Sequence, residues 1–263
     1  MIDTHCHLTF KDFRDRVPET LADAAQRGVT GAITISTTTR DCLDALALAR
    51  AHDRVWCSSG IHPLHSHEGP HVWENLRTVA SDPRCVAWGE LGLDLHYDGE
   101  HRAVQHAVLA EQLAFIDACA RSDAALDLPI IIHCREAFDE LLPILRAAPF
   151  RGDRYVFHCF TGSTGDVRKV LDFGAYVSFT GVVTYKNARE VAEAARLVPD
   201  DRVMVETDAP FLSPEPHRGT RPCRPAFSRD TAEHLARIRG TPWNAFHERI
   251  NANTRTFFGI DAR

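Results

Sequence analysis

Lysine is scarce in this sequence, and two familiar signals are missing. Only Lys11, Lys169 and Lys186 are lysines, although lysine and arginine together number 30. No apolar run approaches the roughly 20 residues that a membrane-spanning helix needs, so a membrane-spanning protein is not expected. The first residues lack the basic segment and apolar stretch of a signal peptide. A cytoplasmic location is therefore expected.

Cysteine pairs and nucleotide-binding glycines are also missing. The eight cysteines form no CxxC pair, which predicts reduced thiols, and the chain is long enough to fold without disulfide bonds. No GxGxxG follows the first apolar run, so a dinucleotide-binding fold is disfavoured. The net charge of −6 argues against a protein that coats nucleic acid through bulk charge, but it permits a local basic patch.

Short apolar runs alternate with helix-like segments along all 263 residues. Eight such runs are the number of strands in a TIM barrel, and the length suits one barrel, so we predict one domain over residues 1–263. A doubly wound open sheet is the alternative. Pro210–Pro225 is predicted to be a loop that precedes a final helical region from Ser228. The predicted strands are Ile2–His7, Thr30–Ile35, Val55–Gly60, Cys85–Gly89, Pro129–His133, Tyr155–His158, Ala175–Phe179 and Arg202–Glu206.

Histidine and carboxylate side chains stand where these strands end. Because the carboxyl ends of barrel strands meet at one rim, we expect these side chains to lie close together. His5 and His7 are two residues apart on a strand, so both can face one metal ion. The other residues of this kind at or near strand ends are His62, Glu90, His133, His158 and Asp208.

Imidazole and carboxylate groups in this arrangement favour a centre with two divalent cations. Glu90 has two oxygens and can bridge the cations, with Asp208 completing one site and His133 and His158 the other. Two cations about 3.5–4 Å apart can share and deprotonate a water molecule. The ligand types permit Mg, Mn or Zn, so the identity of the metal stays open.

Six motifs in order along nearly the whole chain resemble the TatD family of metal-dependent hydrolases, within the amidohydrolase superfamily. The resemblance is specific because the motifs occur together and in the family's order. They are Asp3-Thr4-His5-Cys6-His7, Gly60-Ile61-His62-Pro63, Gly89-Glu90-Leu91-Gly92-Leu93-Asp94, Ile132-His133-Cys134-Arg135, His158-Cys159-Phe160-Thr161-Gly162 and Glu206-Thr207-Asp208-Ala209-Pro210.

The resemblance implies a distorted (β/α)8 barrel and a deoxyribonuclease-like phosphodiesterase that acts on single strands or 3′ ends through a hydroxide bridging two metals. In this scheme Asp208 accepts a proton, Glu90 bridges the metals, and His62 and Arg135 face the substrate phosphate. The first metal would be held by His5, His7, Glu90 and Asp208, and the second by Glu90, His133 and His158. None of the three lysines ends a predicted strand, which argues against a carbamylated lysine as the bridge.

One loop departs from the family pattern. After Asp208 the family usually has Arg-Gly-x-x-Asn-x-Pro, but here residues 218–225 read RGTRPCRP, without the asparagine. Arg218, Arg221 and Arg224 in this loop either line the path of a DNA strand or form a solvated surface. Because the loop borders the site, two alternatives stay open: hydrolysis of a small anionic ester, lactone or amide, and a hydrolase component of a multi-protein assembly that docks through residues 212–227. No stable protein partner is otherwise evident.

Overall fold

Eight parallel strands form one sheet, in which each strand pairs with the next along the chain. The description covers residues 1–97 and 99–260 of a computed structural model. This strand order confirms the predicted TIM-type barrel and excludes the doubly wound sheet, in which the strand order reverses. The strands are β1 (Ile2–Cys6), β2 (Gly31–Thr34), β3 (Val55–Ser59), β4 (Cys85–Asp94), β5 (Ile130–Arg135), β6 (Tyr155–Phe157), β7 (Tyr176–Phe179) and β8 (Val203–Val205).

Helices follow the strands and cover the outside of the sheet. Ile130 and Ile132 pack in the large cluster that includes helix residues, whereas Ile131 belongs to a second cluster made largely of strand side chains. This alternation is expected of a barrel strand, which is buried on both faces. The helices are α1 (Val17–Gln26), α2 (Asp41–Ala51), α3 (Trp73–Ala80), α4 (Arg102–Ser122), α5 (Phe138–Ala147), α6 (Thr164–Phe173), α7 (Arg189–Leu197), α8 (Ser228–Ile238) and α9 (Trp243–Phe258).

The barrel is distorted where β8 returns to β1. The two strands meet through one isolated bridge, Cys6 to Ala209, instead of a regular ladder. Buried side chains complete this seam: Asp3 accepts hydrogen bonds from the backbone nitrogen and the hydroxyl of Thr207, at 2.9 and 2.5 Å. The backbone nitrogen of Asp208 donates to the carbonyl of His5. These contacts fix the segment after β8 against the histidines of β1.

Strand β4 is longer than predicted. The sequence predicted an end at Gly89, but β4 continues to Asp94 and pairs with β5 over its second half. The predicted boundary was wrong because the strand continues through Gly89 and Gly92, where the chain packs closely against β5. Both glycines adopt positive φ, 119° and 150°, within the strand. At Gly92 a Cβ atom would lie 1.9 Å from the carbonyl oxygen of His133, so only glycine permits this close strand pairing.

Several other predictions concern the chain as a whole. Residues 210–224 form a loop, and the helical region begins at Ser228 as predicted, with α8 followed by α9. In the described ranges no helix is long and apolar enough to cross a membrane. All eight cysteines lie within the described residues, none of them forms a disulfide bond, and all except Cys159 are buried. The single-domain boundary of 1–263 stays a prediction, since residues 98 and 261–263 lie outside the described residues.

Candidate metal centre

The histidines and carboxylates predicted at the strand ends meet at the carboxyl end of the barrel. Most of them line one cavity of about 690 Å³. His5 lies beneath it, fully buried and 3.4 Å from Glu90. The predicted site residues in the cavity wall are His7, His62, Glu90, His133, Arg135, His158 and Asp208. All eight predicted residues are therefore brought together, although their roles as ligands stay predictions.

One oxygen of Glu90 faces His5 of β1 and His7, which lies just after that strand. Glu90 Oε1 lies 3.4 Å from Nε2 of His5 and 3.6 Å from Nε2 of His7. On the far side of the same space, Oδ1 of Asp208 lies 3.3 Å from His7 Nε2 and 3.7 Å from His5 Nε2. Two imidazole nitrogens and two carboxylate oxygens thus surround one point.

The other oxygen of Glu90 faces a different set of nitrogens. Glu90 Oε2 lies 2.8 Å from Nε2 of His158 and 3.3 Å from Nδ1 of His133. Nε2 of His62 is slightly farther from the same oxygen, at 3.7 Å. The carboxylate of Glu90 therefore lies between two groups of potential metal-ligating atoms, which is the geometry that a bridging ligand requires.

Polar contacts on the outer side of three histidines, hydrogen bonds at His7 and His133 and a longer ion-pair contact at His158, indicate which nitrogen faces the centre. Nδ1 of His7 contacts the carbonyl oxygen of Ile35 at 3.2 Å, and Nε2 of His133 contacts the carboxylate of Asp94 at 3.0 Å. Nδ1 of His158 lies 3.5 Å from the carboxylate of Glu206. Because these oxygens are acceptors, the outer nitrogen of each neutral ring carries the proton, and the inner nitrogen then has a lone pair directed at the centre.

His62 has the opposite arrangement. Its Nδ1 accepts a hydrogen bond from the backbone nitrogen of Leu64 at 3.0 Å. In the neutral ring the proton must then sit on Nε2, the atom that faces the centre. Nε2 lies 3.1 Å from Nδ1 of His133, to which it can donate. His62 therefore presents a hydrogen-bond donor to the cavity and not a lone pair.

The carboxylates of the centre are ionised and favour a positive charge between them. Burial alone would raise the pKa of Glu90, but the surrounding histidines outweigh it and hold the pKa well below its usual value. Burial likewise favours a higher pKa at Asp208, yet the hydrogen bond with His7 and the charges of nearby histidines lower it. At His158 burial opposes the charged form, but Glu90 and Glu206 raise its pKa well above the usual value. The ionised carboxylates are therefore stabilised by a positive charge beside them, carried either by a protonated histidine or by a metal ion.

Arg135 supplies a fixed cation at the cavity wall. Its side chain follows His133 by two residues on β5, so both project to the same face of the strand. One terminal nitrogen donates to the hydroxyl of Thr161 at 2.8 Å. Within residues 1–97 and 99–260, its Nε is buried without a hydrogen-bond partner. An arginine with an unused donor in a cavity favours an anionic ligand.

The backbone is strained where the site is built. Glu136, Cys159 and Asp208 have φ values of 56°, 44° and 58°, in the left-handed region that non-glycine residues seldom adopt. Each directly follows a strand end or lies within a few residues of one. Such strain is concentrated at functional sites, where surrounding contacts hold it in place.

The family model of TatD-related DNases matches residues 2–259. This chain belongs to that family. It is 37% identical over 265 residues to the uncharacterized metal-dependent hydrolase YcfH of Escherichia coli K12, covering 100% of this chain and 97% of the relative. It is 33% identical to the 3′-5′ ssDNA/RNA exonuclease TatD of Klebsiella pneumoniae, covering 99% of this chain and 98% of that protein.

A solved structure of a TatD relative has the same fold over nearly the whole chain. The TatD homologue YjjV of Escherichia coli K12 superposes with a TM-score of 0.89 at 30% identity, and 98% of each chain is covered. The family resemblance drawn from the six motifs is therefore confirmed.

Three residues that support the centre of this TatD-family protein were not predicted to have roles. Asp94, Thr161 and Glu206 occur in the family motifs, but no role was assigned to any of them from the sequence. A signal was present for Asp94, which follows Glu90 by four residues, a spacing that places both on one face of a strand. Glu206 precedes Asp208 by two residues, but both lie beyond the end of β8. Their function depends on which ring nitrogen they contact, and that is a tertiary property.

Proposed function

We propose that this TatD-family metal-dependent hydrolase is a phosphodiesterase that uses two divalent cations to cleave single-stranded nucleic acid. The main support for this proposal is the position of Glu90, whose two carboxylate oxygens face two separate groups of atoms that can ligate a metal. Relatives with 31–33% identity bear the name 3′-5′ ssDNA/RNA exonuclease TatD, which supports a nucleic-acid substrate and a free strand end.

The residues present fit divalent cations. Imidazole nitrogens and carboxylate oxygens are ligands accepted by Zn and Mn, and the carboxylates extend the range to Mg. In the described ranges, both ring nitrogens of His5 are buried without a hydrogen-bond partner. Buried polar atoms are rarely left unmatched, so these atoms indicate a missing ligand. We assign His5, His7, Glu90 and Asp208 to one cation, and Glu90, His133 and His158 to the other.

Bound cations would supply Lewis acidity that activates water and neutralises charge on the phosphoryl group. The side chains of this protein do the rest. Asp208 is placed to accept the proton of the attacking water. Arg135 and the Nε2 proton of His62 are placed to hold the phosphate oxygens, which accept from both. Asp94 and Glu206 keep the rings of His133 and His158 in the tautomer that presents a lone pair.

Replacing Arg135 with alanine should weaken substrate binding and slow turnover while metal content stays normal. The guanidinium contacts an anionic group present in both the ground state and the transition state, and such a charge-assisted contact is worth roughly 1.5–3 kcal/mol. Steady-state kinetics and elemental analysis on the same preparations measure the two effects. Arg135→Lys is the matched control, since it keeps the charge but loses the planar fork and should retain part of the activity. Unchanged kinetics in Arg135→Ala would make the residue structural.

Replacing Asp94 with asparagine should lower metal affinity by about 10–100-fold, the usual effect of removing an outer partner of a metal-binding histidine. Asparagine has a similar shape, but its amide nitrogen can donate to Nε2 of His133 and favour the wrong tautomer. The measurement is metal affinity from competition with a chelator. Asp166→Asn is the control, because Asp166 caps α6 through Ser163 and lies outside the centre. Equal metal affinity in Asp94→Asn and the wild type would contradict a positioning role.

The proposed function is tested by hydrolysis of end-labelled DNA. Single-stranded DNA, duplex DNA, a carboxyl ester and a lactone are compared with added Mg, Mn or Zn and with EDTA. We expect metal-dependent cleavage of the single strand in preference to the duplex, since the net charge of −6 suits a short footprint. Faster hydrolysis of the ester or the lactone would instead favour a small-molecule hydrolase. A cytoplasmic location, and the alternative of an assembly partner that docks at residues 212–227, remain part of the proposal.

A further inference from the structure

Three arginines lie in the loop at residues 218–225, which departs from the family pattern, and each has different neighbours in the structure. The guanidinium of Arg224 is 3.1 Å from Asp23 of α1, on the outer side of the barrel. That of Arg218 lies 4.1 Å above the ring of Tyr185. The guanidinium of Arg221 lies 5.1 Å above the ring of Phe211, and Phe211 lines the cavity. Of these three, Arg221 alone rests on a side chain of the cavity wall.

A continuous line of rings connects Arg221 to the metal centre. Phe10 stacks on His7 with ring centroids 4.7 Å apart, and it meets Phe211 edge-on at 6.2 Å. Phe211 also follows Asp208 by three residues, and its backbone nitrogen donates to the carbonyl of Asp208 at 2.9 Å. The ring that carries Arg221 is therefore held in place by the same segment that positions the catalytic carboxylate.

The loop backbone on both sides of Arg221 is tied down. The carbonyl of Thr220 accepts a hydrogen bond from the hydroxyl of Ser213 at 2.7 Å. The backbone nitrogen of Cys223, a fully buried residue, donates to the carbonyl of Pro210 at 2.9 Å. Arg221 is thus presented at a defined place, and ordering its backbone for a ligand costs little further entropy.

Arg221 is also available for an anion. Its side chain is 62% exposed, and its carboxylate neighbour, Asp12, is 3.9 Å away, near the outer limit of an ion pair. Exposed pairs of this kind contribute about 0–1 kcal/mol and exchange readily. The cation–π contact with Phe211 does not use the N–H donors of the guanidinium, which can still bind an anion.

We propose that Arg221 binds the phosphate adjacent to the scissile one and so makes the enzyme prefer oligonucleotides over substrates with a single phosphate. The inference rests on the proposed phosphodiesterase function. Arg135 and His62 serve the scissile phosphate inside the cavity, whereas Arg221 stands outside it, beyond Phe211. An exposed cation at the mouth suits the repeating charge of a nucleic-acid backbone, which carries a phosphate at every nucleotide.

The test compares thymidine substrates that differ by one phosphate. The metal-loaded enzyme is given TpT, which has only the scissile linkage, and TpTpT, which has one more. The ratio of kcat/KM for TpTpT over TpT should fall about tenfold in Arg221→Gln, the low end for a hydrogen-bonded charge contact because the site is exposed. Arg224→Gln is the matched control, an arginine of the same loop that faces α1, and it should keep the wild-type ratio.

Salt dependence provides a second readout. A lost phosphate contact should make the plot of log kcat/KM against log salt shallower for TpTpT. Arg221→Lys keeps the charge and should keep the wild-type slope. An unchanged substrate ratio and slope in Arg221→Gln, with TpT and TpTpT still cleaved, would overturn the role of Arg221 alone. Failure of the wild-type enzyme to cleave either substrate would instead overturn the proposed function on which it rests.

Discussion

Asp208→Asn should fold normally, keep much of its bound metal, and lose on the order of 10²–10⁴-fold in the rate of the chemical step, the usual range for general acid–base catalysis. Asparagine has nearly the same shape and still offers one oxygen at the position of Oδ1, which in Asp208 lies 3.3 Å from Nε2 of His7. It is, however, a very poor proton acceptor. Single-turnover rates and melting temperature, measured on the same preparation, separate chemistry from stability.

A purely structural role for Asp208 predicts a different pattern. The residue holds a left-handed backbone conformation after β8, with φ of 58°, and asparagine adopts that region readily. If Asp208 served only to shape this turn, Asp208→Asn would therefore be nearly neutral for both stability and rate. A rate close to that of the wild type in a folded variant would remove Asp208 from the mechanism and require a new assignment for the first cation.

Glu90→Gln should reduce metal occupancy at both proposed sites. The two oxygens of Glu90 face different groups, with Oε1 toward His5 and Oε2 toward His158. Glutamine replaces one oxygen with an amide nitrogen, which has no lone pair for a cation, and it removes the negative charge that both cations share. Elemental analysis of the purified variant should show a loss of more than one metal ion per chain relative to the fully loaded wild type.

His133→Ala is the matched control for the bridging assignment. His133 lies beside only one oxygen of Glu90, at 3.3 Å from Oε2, so its removal should mainly empty one site. The difference between the two variants, and not the loss in either one, identifies the bridge. Full metal loading of Glu90→Gln, or equal losses in both variants, would contradict the assignment.

The sequence was enough to predict that the site residues lie close together, because two simple geometric rules determine their positions. Side chains two residues apart on a strand share a face, which paired His5 with His7. The ends of parallel strands meet at one rim of a barrel, which brought Glu90, His133 and Asp208 together. Neither rule needs an accurate strand boundary, so the prediction survived an error in β4.

Other features depend on contacts that no local pattern encodes. The length of β4 depended on Gly89 and Gly92, which adopt positive φ angles and whose lack of a Cβ atom lets β5 approach closely. The roles of Asp94 and Glu206 depend on which nitrogen of a neighbouring ring they contact. The arginines of the loop look equivalent in sequence, yet Arg221 stacks on a ring of the cavity wall and Arg224 pairs with α1.

The most direct test of a two-cation phosphodiesterase is a titration of Mn²⁺ into metal-free protein, with hydrolysis of an end-labelled single-stranded oligonucleotide followed at each step. The proposal predicts no cleavage without metal, and activity that rises to a plateau at about two equivalents of Mn²⁺ per chain, as a pair of bridged sites requires. Cleavage that persists in the presence of EDTA, a plateau at one equivalent, or no cleavage at saturating metal would contradict it.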